Sequence, residues 1–370
     1  MDHEYEVGLH ICDLDTPALL LDLAAVERNI QKMAEYCRAA GVSLRPHAKI
    51  YKATPVFAWM QIRAGAVGIT VSKLSEAEVL SAGGIQDILV ANQVVGRRKI
   101  TRLVNLAAYA HVMVAVDTLE NARQISEAAH ARGVEVGVLV EVNIGNDRCG
   151  VEPGEPALAL ARQVQTLLGL NFRGLMGYDG HLAFAEDMQE RDLRSKQAYQ
   201  ILVDTRDAVE QAGIPVEIVS GGGSGTYRSA CSVPGMTEIQ AGTYIFSDST
   251  YRDNGLGEFE CAMTVLGTVI SRPQRPGAED LAILDVGRKE MALTYGFPEA
   301  KCPAGTVFSM PQEHSRLKLA DPRQPLCIGD TVELWVGDAN CTFNLYDQVY
   351  AVRNGQVEAV WDILGRGKAT

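Results

Sequence analysis

The chain has no CxxC pair. Its eight cysteines lie scattered at positions 12, 37, 149, 231, 261, 302, 327 and 341, which argues for reduced thiols in a cytoplasm and against a disulfide framework or a structural zinc. It also lacks any stripe of clustered lysine and arginine. With 34 basic against 46 acidic residues the net charge is −12, so nucleic acid and anionic membrane surfaces are poor partners. No apolar run reaches the length of a membrane span. The first residues, Met1-Asp2-His3-Glu4-Tyr5-Glu6-Val7, are acidic and carry no apolar core of a signal peptide. Repeats, low-complexity tracts and long linkers are absent too. What remains is a soluble globular composition, 47% hydrophobic and 22% charged, in 370 residues, enough for two domains.

From residue 43 to 245 short β-branched runs alternate with helical patterns. The candidate strands are 43–48, 67–71, 86–90, 111–116, 136–143, 172–178, 216–220 and 237–241. Val67-Gly68-Ile69-Thr70-Val71 and Val136-Gly137-Val138-Leu139-Val140 are nearly all apolar, as parallel strands covered on both faces are. Between strands, Ile100, Leu103, Leu106 and Ala107 share one helical face, as do Ala157, Leu160, Ala161, Val164 and Leu167. An earlier helix, with Val26, Ile30, Met33 and Cys37 on one face, stops at Gly41. Eight parallel strands with intervening helices predict an α/β fold, a (β/α)8 barrel over 23–256; a doubly wound open sheet is the alternative. After 256 the texture changes. Runs at 262–270, 281–284, 331–336 and 348–352 read as strands, separated by turn signals such as Pro276-Gly277 and Arg353-Asn354-Gly355, with no helical pattern. A mainly antiparallel β-domain is expected over 1–22 and 257–370, joined by the strand Pro17-Ala18-Leu19-Leu20-Leu21.

A lysine among apolar neighbours is costly unless its charge is removed or used. Lys49 ends the segment Leu44-Arg45-Pro46-His47-Ala48-Lys49, which reads as short and extended. A desolvated lysine is nucleophilic and can hold pyridoxal 5′-phosphate (PLP) as a Schiff base. A lysine reaching solvent from a strand end is the plainer reading. In barrels of this kind functional groups gather at the C-terminal ends of strands, and phosphate binds after strands seven and eight. Lys49 closes the first strand, Arg148 follows the fifth, and Tyr178 and His181 follow the sixth. Ser220-Gly221-Gly222-Gly223-Ser224-Gly225-Thr226 follows the seventh, and Gly242-Thr243-Tyr244 the eighth. Glycine amides can face an anion unobstructed, although most glycine clusters are only turns. The position after strand seven, with Lys49 after strand one, makes this cluster a phosphate candidate. Plainer readings stay open for Arg148, as a surface partner of Asp147, and for His181, as a structural histidine.

Together these segments resemble the D-threonine aldolase and D-serine dehydratase family of fold-type III PLP enzymes, over nearly the whole chain. The similarity includes Asp15-Thr16-Pro17-Ala18-Leu19, Arg45-Pro46-His47-Ala48-Lys49, Lys73-Leu74-Ser75-Glu76-Ala77-Glu78, Arg148-Cys149-Gly150-Val151, the glycine run through Tyr227, and Glu313-His314. The 3-hydroxy-D-aspartate aldolases are similar as well. The resemblance implies an alanine-racemase-like barrel with a C-terminal β-domain, a homodimer, and a small amino-acid substrate of D configuration. It implies PLP on Lys49, Arg148 near the cofactor ring and Tyr178 beside it. Phosphate is then held by Gly222, Gly223, Gly242 and Tyr244, with Ser220 and Thr243 in the same group. The family's metal motif pairs a histidine with a cysteine or aspartate two residues on. Here those positions carry Asp338 and Asn340, oxygen ligands suited to a weakly held Mg²⁺ or Mn²⁺ rather than Zn²⁺, or to no ion. Two more departures are Tyr51, where the family has histidine, and Ser72, where it has glutamine.

The activity implied is retro-aldol cleavage of a β-hydroxy-α-amino acid to a simple amino acid and an aldehyde, with His181 or His314 as base. Dehydration of D-serine or 3-hydroxyaspartate is an alternative, as is metal-independent racemisation or epimerisation. A PLP-binding protein without turnover is a further class. Such carriers resemble the barrel alone, so the β-domain and His314 speak for an enzyme.

Overall fold

A computed structural model describes residues 5–185, 187–323 and 325–370. Residues 1–4, part of the acidic N-terminus and of the segment expected in the β-domain, lie outside the described residues. The chain divides into two compact units: Ile30–Lys49, Ala53–Gly242 and Gly367–Thr370 in one, Met1–Asn29, Ile50–Lys52 and Thr243–Arg366 in the other. Among the described residues no helix is long and apolar enough to cross a membrane.

The chain opens with β1 (Ala18–Asp22), a strand of the second unit, and α1 (Leu23–Ala40). The strands of the first unit are β2 (Ser43–Leu44), β3 (Ile69–Val71), β4 (Asp87–Gln93), β5 (His111–Val116), β6 (Val136–Glu141), β7 (Leu170–Met176), β8 (Ile218–Gly221) and β9 (Glu238–Ile239). Between them run α2 (Pro55–Arg63), α3 (Leu74–Ala82), α4 (Arg97–Leu106), α5 (Leu119–Arg132), α6 (Glu155–Gln165), α7 (Met188–Gln211) and α8 (Tyr227–Ser232). The sheet order is β2-β9-β8-β7-β6-β5-β4-β3, every pair parallel. Strands lie beside their neighbours in sequence, as in a barrel and unlike a doubly wound sheet. The ring closes where the Leu44 carbonyl accepts from Val67 N at 2.9 Å, the Pro46 carbonyl accepts from Thr70 N at 2.9 Å, and His47 bridges Thr70.

All eight expected strands are present, but the first is shorter than 43–48 and the eighth shorter than 237–241. Pro46 has no N–H for a ladder, and the chain turns at Ala48–Tyr51 into a 3-10 turn. Lys49 therefore sits in a turn, not at the end of an extended run. The helical faces are buried as their spacing requires: Val26, Ile30, Met33 and Cys37 on α1, Ile100, Leu103 and Leu106 on α4. Leu89, Met113, Ala115, Leu139, Met176 and Ile218, all strand residues, form one core cluster. Polar groups are buried as well. Arg45 Nε donates to Glu238 Oε2 at 2.8 Å and its guanidinium also reaches Asp87. Glu238 Oε1 accepts from Ser220 Oγ at 2.7 Å, and Ser220 Oγ from Gln240 Nε2 at 2.9 Å. A buried arginine is tolerable here because its charge is paired and hydrogen-bonded.

The second unit is a nine-stranded sheet of β1 with β10 (Met263–Ser271), β11 (Leu281–Leu284), β12 (Glu299–Cys302), β13 (Gly305–Ser309), β14 (Ser315–Leu319), β15 (Thr331–Trp335), β16 (Gln348–Arg353) and β17 (Gln356–Asp362). Its order is β11-β14-β13-β12-β15-β10-β1-β16-β17, and β10 pairs with β11 as well. The sheet thus curls back on itself into a barrel-like form. Every pair is antiparallel except β1–β16. One expectation fails: a helix does occur after residue 256. The short α9 (Ser249–Tyr251) precedes that point, but α10 (Ala339–Phe343) lies within the β-unit. Five residues are too few to show a 3.6-residue period.

Candidate active site

Three strand ends of the barrel converge on one aromatic ring. Lys49 Nζ lies 5.9 Å from the Tyr178 ring centroid, and the Arg148 guanidinium carbon 5.4 Å from the same centroid. Lys49 is part-buried. Burial, and then the Arg148 charge, push its amine below the usual lysine range, with Glu76 opposing them. Glu76 is itself buried; its Oε2 accepts from Ser72 N at 3.0 Å and Lys73 N at 3.1 Å. His47 stands beside Lys49, its Nδ1 accepting from Lys49 N at 3.4 Å and its Nε2 lying 3.5 Å from Ser72 Oγ. Burial and the Lys49 charge hold that imidazole well below its ordinary pKa, so it is neutral.

Arg148 does not pair with Asp147. Its nearest carboxylate is Glu141 at 4.0 Å, whereas Asp147 Oδ1 accepts from Asn143 Nδ2 at 2.9 Å. Glu141 is buried at the end of β6, where burial pushes its pKa up and the amide of Gln93, 2.5 Å away, pulls it down. His181 is exposed, and a Cβ placed on Gly145 would lie 3.5 Å from its ring. It therefore stands beside the loop that carries Arg148.

The glycine loop leaves β8 and runs past the same ring: a Cβ on Gly223 would lie 3.4 Å from Tyr178 Cε2. Gly222 has φ +79, a conformation that strains any L side chain. Its N–H donates to Tyr199 Oη at 2.6 Å. Ser220 is fully buried with its hydroxyl turned to Glu238 and Gln240, inside the barrel. Gly242 closes against the first strand, where a Cβ would come 2.5 Å from the His47 carbonyl oxygen.

The remaining expected residues belong to the second unit. Tyr244 is buried with its ring 5.7 Å from Phe259, and the buried Thr243 offers its carbonyl to Ser247 N at 2.8 Å. Tyr51 is buried against Phe246 at 6.5 Å between centroids. His314 is exposed, next to the Glu313–Lys289 ion pair. Asp338 is buried; its Oδ1 caps α10 by accepting from Cys341 N at 3.0 Å, and its Oδ2 accepts from Thr294 Oγ1 at 2.6 Å. Asn340 Oδ1 is buried without a hydrogen-bond partner. Among the described residues no group of three or more His, Cys, Asp or Glu could hold a metal ion.

Sequence reasoning passed over His47, Glu141, Asp179 and Tyr199. The strand-end rule that singled out Lys49 applies equally to Glu141, and Asp179 lies inside the Tyr178–His181 segment. Tyr199, in the middle of α7, carries no comparable signal.

Comparison with known proteins gives the family of the chain. Residues 21–250 match the family model "Alanine racemase, N-terminal domain" and residues 262–352 match "Putative serine dehydratase domain". The chain is 38% identical to a D-threonine aldolase of Arthrobacter sp, over 97% of this chain and 95% of that one. It is 34% identical to a 3-hydroxy-D-aspartate aldolase of Paracoccus denitrificans, over 98% and 97%. The solved D-threonine aldolase of Filomicrobium marinum superposes with a TM-score of 0.93 at 37% identity, over 98% of this chain and 99% of that one. The chain therefore belongs to the PLP-dependent family that joins an alanine-racemase-type barrel to a C-terminal β-domain, and it is a lyase of that family.

Proposed function

We propose that this chain cleaves the Cα–Cβ bond of a D-configured β-hydroxy-α-amino acid, releasing glycine or another simple amino acid and an aldehyde. The observation that carries the reading is its near full-length identity to two aldolases, 38% and 34%. PLP, when bound, draws off the negative charge that develops at Cα. The chain's own groups suit such a guest. Lys49 offers an amine shifted toward its neutral, nucleophilic form, and Tyr178 offers a ring face already shared by Lys49 and Arg148. Gly222, Gly223, Gly242, Thr243, Tyr244 and Ser220 are the proposed phosphate group. Within it Ser220 and the Gly222 amide act from behind, through Glu238 and Tyr199. His181 and His314 are the two proposed bases for the β-hydroxyl proton.

The metal reading is narrower. An unpartnered Asn340 Oδ1 and the spare lone pairs of the Asp338 carboxylate fit a weakly held hard ion such as Mg²⁺ or Mn²⁺, not Zn²⁺. Such an ion would acidify a nearby substrate hydroxyl. A homodimer in a reducing cytoplasm completes the proposal, the first from the family resemblance and the second from eight free thiols.

The dehydratase-domain match over 262–352 favours one rival, loss of water to give a keto acid and ammonia. A panel of β-hydroxy amino acids decides between them, with aldehyde, keto acid and ammonia measured with EDTA, Mg²⁺ or Mn²⁺ present. We expect aldehyde, with a rate raised by Mg²⁺ or Mn²⁺ or indifferent to EDTA. Keto acid without aldehyde overturns the aldolase reading, and stoichiometric tightly bound Zn²⁺ overturns the metal reading.

A further inference from the structure

We propose that Asp179 is a positioning residue that sets the protein's affinity for the phosphate of PLP. The inference rests on this chain's being a PLP enzyme. Asp179 is 1% exposed. Its Oδ1 accepts from Tyr199 Oη at 2.7 Å and from Thr226 Oγ1 at 3.0 Å, and its Oδ2 from Ser195 Oγ at 2.6 Å. Both carboxylate oxygens accept, so all three hydroxyl protons point inward to Asp179. The hydroxyl oxygens are then left to accept from elsewhere, and two of them do so from the glycine loop. Tyr199 Oη takes the Gly222 N–H at 2.6 Å, and Thr226 Oγ1 takes the Gly223 N–H at 3.4 Å. Thr226 N returns a hydrogen bond to the Gly223 carbonyl at 3.1 Å, closing the turn.

The polarity of this chain runs one way: loop amide to hydroxyl, hydroxyl to carboxylate. It fixes the first two amides of the loop and so dictates which way the following backbone faces. The same residue is the direct neighbour of Tyr178, whose ring meets Lys49 and Arg148. One buried carboxylate thus anchors both the ring-binding segment and the glycine loop. Ser195 and Tyr199 sit four residues apart on α7, one turn, so a single helix face supplies two of the three hydroxyls. Burying a carboxylate is costly, and two of the three hydroxyls that offset the cost here also grip the loop.

The test compares PLP with pyridoxal, which bonds to the same lysine but has no phosphate. Apoenzymes of wild type, Tyr199→Phe, Thr226→Val and Asp179→Asn are titrated with each compound by absorbance, and apo melting temperatures are recorded. We expect wild type to prefer PLP strongly, and each folded variant to lose that preference by about tenfold or more, the equivalent of one buried hydrogen bond, while pyridoxal affinity is kept. Tyr199→Phe keeps the ring volume and carries the test if Asp179→Asn does not fold. A merely structural role weakens both compounds alike, and that result, or an unchanged preference, overturns the proposal. A wild-type protein that binds neither compound overturns the cofactor reading itself.

Discussion

Lys49 and His47 share a crowded corner of the barrel in which both are driven toward their neutral forms. For Lys49 the practical consequence is reactivity, and borohydride reduction followed by peptide mapping should recover the pyridoxyl group on Lys49 rather than Lys52 or Lys73. Arg148 contributes to the lowered amine pKa, so Arg148→Gln should move the pH midpoint of PLP attachment upward; a midpoint that stays put would sink the electrostatic account. For His47 the consequence is stability. Burial holds its folded pKa well below the ordinary histidine value of about 6.5, so in that interval the unfolded chain binds more protons than the native one. Stability then rises with pH across the interval and is lost on acidification. Urea midpoints of the apoprotein should fall between pH 7 and lower values, and His47→Gln should flatten that slope.

At the scale of the element, the glycine loop and α10 each show a residue with a second duty. A Cβ on Gly222 would lie 3.2 Å from Ile239 Cδ1 and 3.3 Å from the Ala230 Cβ, in a backbone at φ +79. Gly222→Val should therefore cost about 1–3 kcal/mol in backbone strain alone and release PLP on dialysis; retention equal to wild type would place the phosphate elsewhere. Asp338 occupies a metal-ligand position of the relatives, yet its carboxylate caps α10. Asp338→Ala should lower the melting stability of the metal-free protein by about 1 kcal/mol, whereas a residue serving only an ion leaves that stability unchanged. The elements themselves were unequally legible. β5 and β6 announce themselves as apolar runs, but β12 is Glu299-Ala300-Lys301-Cys302, mostly exposed, and no local pattern marks it. It becomes a strand because β13 and β15 pair with it on either side.

At the scale of the whole molecule, the polar centre of the barrel ties its first strand to its last. Arg45 and Glu238 stand 193 residues apart in sequence and meet at 2.8 Å, with Ser220 on the far carboxylate oxygen. Arg45→Met should cost about 3–5 kcal/mol, because Glu238 is left buried and unpaired. Adding Glu238→Leu should restore much of that loss in chemical denaturation; a double variant as weak as the single one would mean the charges are not the cause. The eight barrel strands, the helices between them, the β-rich C-terminal half and the family were all readable from sequence, since each rests on short-range periodicity or on contiguous motifs. That Lys49, Arg148 and Tyr178 come together was readable for a related reason: a barrel brings its strand ends together whatever lies between them. Only the tertiary structure decided which hydrogen-bonding groups are spent inward. The Gly222 amide goes to Tyr199, Ser220 to Glu238 and Asp338 to its own helix. Such choices depend on donor and acceptor geometry between segments far apart in the chain, and no local pattern of residues encodes them.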